Sequence, residues 1–181
     1  MLKHTKYITA LGLMTWAFNS NAVVLSLDPA RQIAQAGDEI TLDVLYDTEG
    51  KSTVSGGFSI TFDDTAFDLQ KVVFDDNLPD DPDFRIKPDL AQKSDTFNLG
   101  FGNFSGIQGS GKAITLFFQA LKPGEFNFIL GKPLPPEDPF KEPVSFNNAT
   151  VTVQAVPIPA AIGLFASGLV GIGLKLRRKL T

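Results

Sequence analysis

From residue 23 to about residue 155, apolar and polar residues alternate over short stretches that are interrupted by glycine, proline and aspartate. The clearest stretch contains Ile40, Leu42, Val44 and Tyr46, and only Leu45 breaks its alternation. A period of two places successive side chains on opposite faces of a β-strand. Helical periodicity does not persist over about ten residues anywhere in this region. The pattern therefore predicts an all-β domain, an antiparallel β-sandwich.

Further strands are predicted at near-regular spacing, in residues 57–62, 69–74, 97–101, 113–120, 126–130 and 151–153. Two segments rich in proline, residues 75–89 and 132–143, are predicted to be extended surface loops. Glycines at 100 and 102, and those within residues 106–111, lie among strands and predict hairpin turns rather than a phosphate-binding loop.

Residues 1–22 have the organisation of a secretory signal peptide. Lys3 and Lys6 precede an apolar run over residues 7–18, and Ser20 and Ala22 provide small side chains at the −3 and −1 positions. We therefore expect a signal peptidase to cleave after Ala22. A run of twelve residues is too short to span a bilayer, which argues against a transmembrane helix here.

The C-terminal segment, residues 156–181, contains a second apolar stretch. Residues 158–174 carry no charge and would form a transmembrane helix of about 25 Å. A basic cluster follows and predicts a cytoplasmic end: Lys175, Arg177, Arg178 and Lys179. Both termini then place residues 23–155 on the far side of the membrane.

The C-terminal segment resembles a PEP-CTERM sorting tail of the type that reads Val-Pro-x-Pro-Ala, through Val156, Pro157, Pro159 and Ala160. The resemblance implies recognition and cleavage by an exosortase, on the way to the surface or extracellular matrix of a Gram-negative bacterium. Ile158 stands where the commonest form of the motif has glutamate. An ordinary C-terminal anchor that is never cut remains the alternative.

Several segments of the domain together resemble the cohesin-like domain of bacterial surface proteins. They are residues 25–29, 36–44, 57–63, 109–124 and 148–153. The resemblance implies a jelly-roll sandwich of about nine strands and suggests a protein partner.

The residue inventory excludes most catalytic chemistry. His4 is the only histidine and would leave with the signal peptide, and the chain has no cysteine. Catalytic triads, cysteine nucleophiles and the usual zinc sites all need one of these residues. A carboxylate glycosidase stays open in principle, but residues 23–155 have no tryptophan and only Tyr46 as tyrosine to form a sugar platform. We expect no enzyme and no cofactor.

The net charge of residues 23–155 argues against one class of partner. Residues 23–155 contain 10 basic and 20 acidic residues, a net charge of −10, which disfavours nucleic acid. The densest acidic cluster is either a weak calcium candidate or a solvated loop that keeps the domain soluble. Its aspartates are Asp75, Asp76, Asp80, Asp81 and Asp83.

Phenylalanine is abundant, with 14 of the 16 residues in the domain. Most lie at alternating strand positions and are expected in the core. Phe101, Phe104 and Phe140 lie in glycine- or proline-rich segments and are either core residues or part of an interaction patch.

The sequence thus predicts an exported surface or matrix protein that passes through an inner-membrane-anchored intermediate. Its β-sandwich would act as a structural or binding module for a protein or polysaccharide ligand. The alternative is a permanently anchored adhesion or carbohydrate-binding domain that faces the periplasm.

Overall fold

The computed structural model describes residues 23–156, which form ten strands and one 3-10 turn. The strands are β1 (Val23–Asp28), β2 (Arg31–Gln35), β3 (Glu39–Asp47), β4 (Thr53–Thr61), β5 (Phe67–Phe74), β6 (Thr96–Ile107), β7 (Ser110–Ala120), β8 (Gly124–Gly131), β9 (Val144–Asn147) and β10 (Ala149–Gln154); the turn spans Pro82–Phe84. In residues 23–156, no helix has the length and apolar character needed to cross a membrane. The predicted signal peptide and transmembrane helix lie outside the described residues.

The strands form two five-stranded sheets. The first has the order β5-β7-β3-β1-β9 and the second β2-β10-β8-β4-β6. Their inner faces enclose one apolar core, so the predicted β-sandwich is confirmed. All ten strands and the buried cluster lie within residues 23–154, so this segment contains both sheets and the core between them.

Most strand pairs are antiparallel, as expected, but two pairings are parallel. β1 lies in the first sheet, and after Pro29 the chain continues as β2 at the edge of the second sheet. The chain crosses between the sheets a second time from β9 to β10. β9 lies parallel to β1 in the first sheet, and β10 lies parallel to β2 in the second. The pairings are parallel because both paths cross between the sheets in the same direction. The division of these two long strands also gives ten strands instead of about nine.

β3 shows how the alternation of the sequence becomes a core face. Ile40, Leu42, Val44 and Tyr46 are buried, while the residues between them are exposed or half-buried. β3 pairs with β1 on one side and β7 on the other, so its apolar row continues across the sheet. Burying each such side chain contributes about 1.5–3 kcal/mol.

Phenylalanines join the two sheets at the centre of the sandwich. Phe62, Phe67, Phe118 and Phe128 form a contiguous cluster, with ring centroids 4.9 Å apart for Phe62–Phe118, Phe67–Phe128 and Phe118–Phe128. These three pairs meet edge to face, an arrangement that adds about 0.5–1.5 kcal/mol per pair beyond burial. The expectation that most phenylalanines belong to the core is confirmed.

The glycines at 100 and 102 do not form the predicted hairpin turn. Both lie inside β6, a strand of twelve residues, and the turn that follows it is at Gly109, which has a φ of 90°. Both positions lack room for a side chain, because a Cβ atom on Gly100 would collide with Ile86 and one on Gly102 with Ser55 of β4. Phe101, between them, is buried in the core.

Candidate binding cleft

The candidate site forms where the second sheet loses a strand. β4 pairs with β8 only over residues 59–61. After Gly131 the chain enters the proline loop (residues 132–143), whose five prolines lack the N–H groups that a strand ladder needs. The part of β4 that precedes Ser59 therefore lies beside the proline loop and not beside a strand on this side.

Specific hydrogen bonds attach the proline loop to the sheet. Gly57 N donates to Asp138 O at 2.8 Å, and Ser59 Oγ donates to Lys132 O at 2.8 Å. Asn98 on β6 and Leu134 exchange two bonds, of 2.7 and 2.8 Å. The loop lies outside the regular strands, as predicted, but it is held at several points along its length.

The acidic loop (residues 75–89) runs along the outer edge of β6. Ile86 and Gly100 exchange backbone hydrogen bonds of 3.0 and 3.3 Å, and Asp81 N donates to Gly102 O at 2.7 Å. This segment was expected to be an extended surface loop. It instead contains the 3-10 turn, which Asp81 caps by accepting a bond from Asp83 N at 3.1 Å.

Glycines make this close approach possible. A Cβ atom on Gly100 would lie 2.6 Å from Ile86 Cδ1, and one on Gly56 would lie 2.4 Å from the backbone of Phe140. Glycine inside a strand commonly marks such contacts. Gly56, Gly57 and Gly100 are the sequence signal for this site, and the prediction of a hairpin turn at Gly100 missed it.

Between the two loops lies a cleft of about 740 Å³. Ser55 and Gly56 on β4 form its floor. One wall comes from the acidic loop and the other from the proline loop: Asp83, Phe84, Arg85, Ile86, Pro136, Glu137, Asp138, Pro139, Phe140 and Lys141. We call this site the loop cleft.

Aromatic surface borders the loop cleft. Phe84 in its wall meets Phe104 edge to face, with ring centroids 4.5 Å apart, and Phe104 is 80% exposed. Phe140 instead inserts into the core, 5.5 Å from Phe101. Of the three phenylalanines considered for an interaction patch, only Phe104 is exposed, and Phe101 and Phe140 are core residues. Their spacing in the sequence could not distinguish them, because the loops fold back over the sheet.

Arg85 fixes the shape of the acidic loop. Its Nε and Nη2 atoms each donate to Asp80 at 2.8 Å, and the Asp80 side chain is only 1% exposed. The guanidinium also lies 4.9 Å from the centroid of the Phe74 ring. The hydrogen bonds to Asp80 raise the pKa of Arg85. Arg85 therefore stays charged, and the pair acts as a clamp that holds one wall in place.

The weak calcium candidates do not converge. Asp80 is occupied by Arg85, and Asp81 caps the 3-10 turn. Asp75 accepts a bond from Asn77 N at 2.8 Å and lies 3.6 Å from Lys112 Nζ. Across residues 23–156, no three histidine, cysteine, aspartate or glutamate side chains are grouped so as to hold a metal ion. Nor is the acidic loop fully solvated, since Asp80 is buried.

The loop cleft offers carboxylates, one lysine, and aromatic and proline surface around a narrow floor. Such a mixture suits an extended ligand that carries both polar and apolar groups. Val156, the first residue of the predicted sorting motif, is exposed. The remaining motif residues, the cleavage positions Ser20 and Ala22, and the basic cluster lie outside the described residues.

Comparison with solved structures shows a cohesin-like fold. The seventh ScaB type I cohesin of Pseudobacteroides cellulosolvens is similar, with a TM-score of 0.59, 16% identity and coverage of 76% of this chain and 96% of that one. A Clostridium thermocellum cohesin, solved in complex with a dockerin, gives a TM-score of 0.58 at 12% identity, with 75% and 95% covered.

A non-cellulosomal cohesin from the archaeon Archaeoglobus fulgidus is also similar, with a TM-score of 0.52, 14% identity and coverage of 78% and 96%. No protein-family model matches the chain, and no curated protein matches its sequence. The similarity therefore shows the fold, and the cohesin-like sandwich expected from the sequence is confirmed.

Proposed function

We propose that this cohesin-like sandwich is an exported, non-enzymatic module that binds a protein partner at the cell surface or in the extracellular matrix. The observation that carries the proposal is the fold, since cohesins of the same architecture include one solved in complex with a dockerin. The loop cleft supports it with a site of suitable size. The fold suggests a protein partner but does not say which one, so the residues of the cleft must decide the chemistry that the partner presents.

The absence of catalysis in this proposal rests on the residue inventory. Histidine and cysteine do not occur in residues 23–156, so nucleophile and imidazole chemistry lack their usual groups. The carboxylates that line the cleft belong to Asp83, Glu137 and Asp138. The buried carboxylate of the acidic loop, Asp80, lies outside the lining and is paired with Arg85.

Export and sorting are proposed from the two ends of the sequence. A signal peptidase would remove residues 1–22, and an exosortase-type enzyme would cut near Pro159 after the tail has held the protein in the inner membrane. The extent of the domain agrees with this proposal, because β1 begins at Val23 and β10 ends at Gln154, two residues before Val156.

Expression of the full chain in a Gram-negative host with an exosortase, followed by fractionation and mass spectrometry, tests the route. The expected product begins at Val23, ends near Pro159 and lies outside the cell. An intact end with Arg177 and Arg178 in the inner membrane would favour the permanently anchored adhesion or carbohydrate-binding domain. Retention in the cytoplasm would overturn export.

Binding through the loop cleft is tested with Phe104→Ser, which removes an exposed ring at its border. A surface-fraction protein that binds the unchanged domain is expected to bind the variant at least about ten-fold more weakly, a loss of about 1.4 kcal/mol. Ile129→Ser is the matched control, since Ile129 is also exposed on the second sheet but lies outside the cleft. Equal loss in both variants would count against the cleft.

A further inference from the structure

The two sheets have four edge strands, and three of them carry features that oppose pairing with another strand. β5 has an irregular register between Leu69 and Lys71 and is charged at Asp68 and Lys71. β6 is covered by the acidic loop through the Ile86–Gly100 bridge. β9 has only four residues. Irregular register, charge, covering loops and short length all protect sheet edges from association.

β2 is the least protected of the four edge strands, with Arg31 as its one charged residue and the Asp38 turn bonded only to its last residue, Gln35. It has five residues, Arg31–Gln35, with no proline, no acidic residue and no register shift against β10. Within residues 23–156, β10 is the only strand that pairs with it. Ile33 at its centre is 71% exposed.

Among the described residues, some backbone N–H and C=O groups of β2 have no hydrogen-bond partner. Thr150 N donates to Ala30 O and Ala36 N donates to Gln154 O, both at 2.9 Å, which fixes the alternation of the ladder with β10. A parallel ladder uses every second residue, so Gln32 and Ala34 face β10. The N–H and C=O groups of Arg31 and Ile33 consequently point to the open side.

The two ends of this open edge carry opposite charges. Arg31 is exposed at one end. At the other, Gln35 N donates to Asp38 Oδ2 at 2.8 Å and Asp38 N donates to Gln35 O at 3.0 Å, which holds the Asp38 carboxylate on the open side of the strand. The backbone groups of Gln35 are thus already paired, and the ladder bonds of a second copy would be those of Ile33, with Asp38 available to its arginine. A second copy turned by 180° would bring its arginine to this carboxylate, so the edge is complementary to itself.

We propose that β2 pairs antiparallel with β2 of a second copy, about a two-fold axis at Ile33. The two Ile33 residues lie opposite each other and exchange two N–H···O bonds, and each Arg31 lies opposite Gln35 of the second copy. Each guanidinium then approaches the Asp38 carboxylate of the other copy. The second sheets of the two copies join into one sheet of ten strands, an interface that uses the same surface on both copies.

Affinity should be modest, because a strand of five residues per copy buries little surface and two domains of net charge −10 repel each other. We expect a dissociation constant on the order of 10–100 µM. The ion pairs and the overall repulsion respond to salt in opposite directions, so position-specific variants are a better test than ionic strength.

Cysteine cross-linking tests the pairing directly. The chain has no cysteine, so Ile33→Cys in residues 23–156 introduces a single thiol. Opposed residues in such a pair have Cα atoms about 5.5 Å apart, which permits a disulfide. Oxidation should give a covalent dimer for Ile33→Cys and a monomer for Ile129→Cys, the control on a central strand of the same sheet. Equal cross-linking of both variants would contradict the proposal.

Sedimentation analysis of the same segment gives an independent test. Ile33→Lys places two like charges at the axis without removing a buried group, and we expect it to weaken dimerisation at least about ten-fold. Arg31→Asp should weaken it as well, and adding Asp38→Arg should restore it. A cooperative thermal transition confirms that each variant is folded. A monomer throughout up to about 1 mM, or a dimer that Ile33→Lys leaves intact, would overturn the proposal.

Discussion

At the scale of single residues, Arg85 and Asp80 show how one ion pair organises a loop of otherwise weak structure. The Asp80 carboxylate is buried and accepts both of its bonds from Arg85. A buried charge that loses its partner keeps its desolvation cost with nothing to offset it. The value of the pair therefore lies in the conformation it enforces on the wall of the loop cleft.

Arg85→Met tests this role. We expect the free energy of unfolding to fall by about 2–3 kcal/mol in a urea titration, because the Asp80 carboxylate is left buried and unpaired. Lys87→Met is the matched control, since Lys87 Nζ lies 5.9 Å from the centroid of the same Phe74 ring but forms no ion pair within the described residues. A change within about 0.5 kcal/mol for Arg85→Met would show that the clamp is dispensable.

Two half-buried aspartates make the stability of the domain depend on acid pH. Hydrogen bonds from the Thr65 hydroxyl and amide hold the pKa of Asp63 below 3.8, and the Asn77 amide does the same for the pKa of Asp75. A carboxyl whose pKa is lower in the folded state stabilises that state above its unfolded pKa. This contribution is lost as the pH falls through the lowered value.

The melting temperature should therefore decrease as the pH is lowered below about 4. In the double variant Asp63→Asn, Asp75→Asn, the decrease between pH 5 and pH 3 should be smaller than in the unchanged domain. Asp64→Asn serves as the control, and thermal unfolding followed by circular dichroism provides the measurement. An unchanged slope in the double variant would contradict the assignment.

At the scale of elements, local alternation predicted most strands, but it missed the short strands β2 and β9 and did not give the strand partners. β3 follows its apolar period from Ile40 to Tyr46 because one face meets the core over its whole length. β6 could not be recognised in full, since Gly100 and Gly102 on it resemble turn residues. Its extent depends on pairing with β4 and on loops that are distant in the sequence.

The loop cleft could not be predicted from the sequence either, because it also depends on contacts between segments that are distant in the sequence. Composition marked both of its loops as irregular, and the acidic loop was considered only as a calcium site or a solvated segment. The burial of Asp80 by Arg85 and the contact of Ile86 with Gly100 depend on how the acidic loop folds onto β6. Neither local propensity nor hydrophobic period contains that information.

Gly56→Ala tests the close contact between β4 and the proline loop. The new Cβ would collide with the backbone of Phe140, so the loop must move or the variant loses about 1–3 kcal/mol of stability. Gly131→Ala is the milder comparison, because its Cβ would meet one side-chain atom, Ser59 Oγ at 3.2 Å, and no backbone. Urea titration of both variants provides the comparison, and equal stability would argue against a fixed loop.

At the scale of the whole molecule, the first and last strands place the two ends of the domain far apart. The reason is that β1–β2 and β9–β10 each cross from the first sheet to the second. Val23 lies beside Val144 at the start of β1, next to the end of β3. β10 runs in the opposite sense to β3 and ends with Gln154 beside Gln35, near the start of β3. The chain therefore enters at one end of the sandwich and leaves at the other.

The parallel course of β2 and β10 carries a consequence for when two copies can meet. Antiparallel pairing through β2 points Val156 of one copy away from Val156 of the other, because β10 follows β2 in each. Under the proposed sorting, two molecules held by their tails in one membrane stand in the same orientation and cannot form this pair. Ile33→Cys in the full chain, embedded in vesicles, should therefore remain uncrosslinked, whereas residues 23–156 cross-link. Removal of the tail would then be required before two copies can pair through β2. Dimers would therefore form only among molecules that have been released from the membrane.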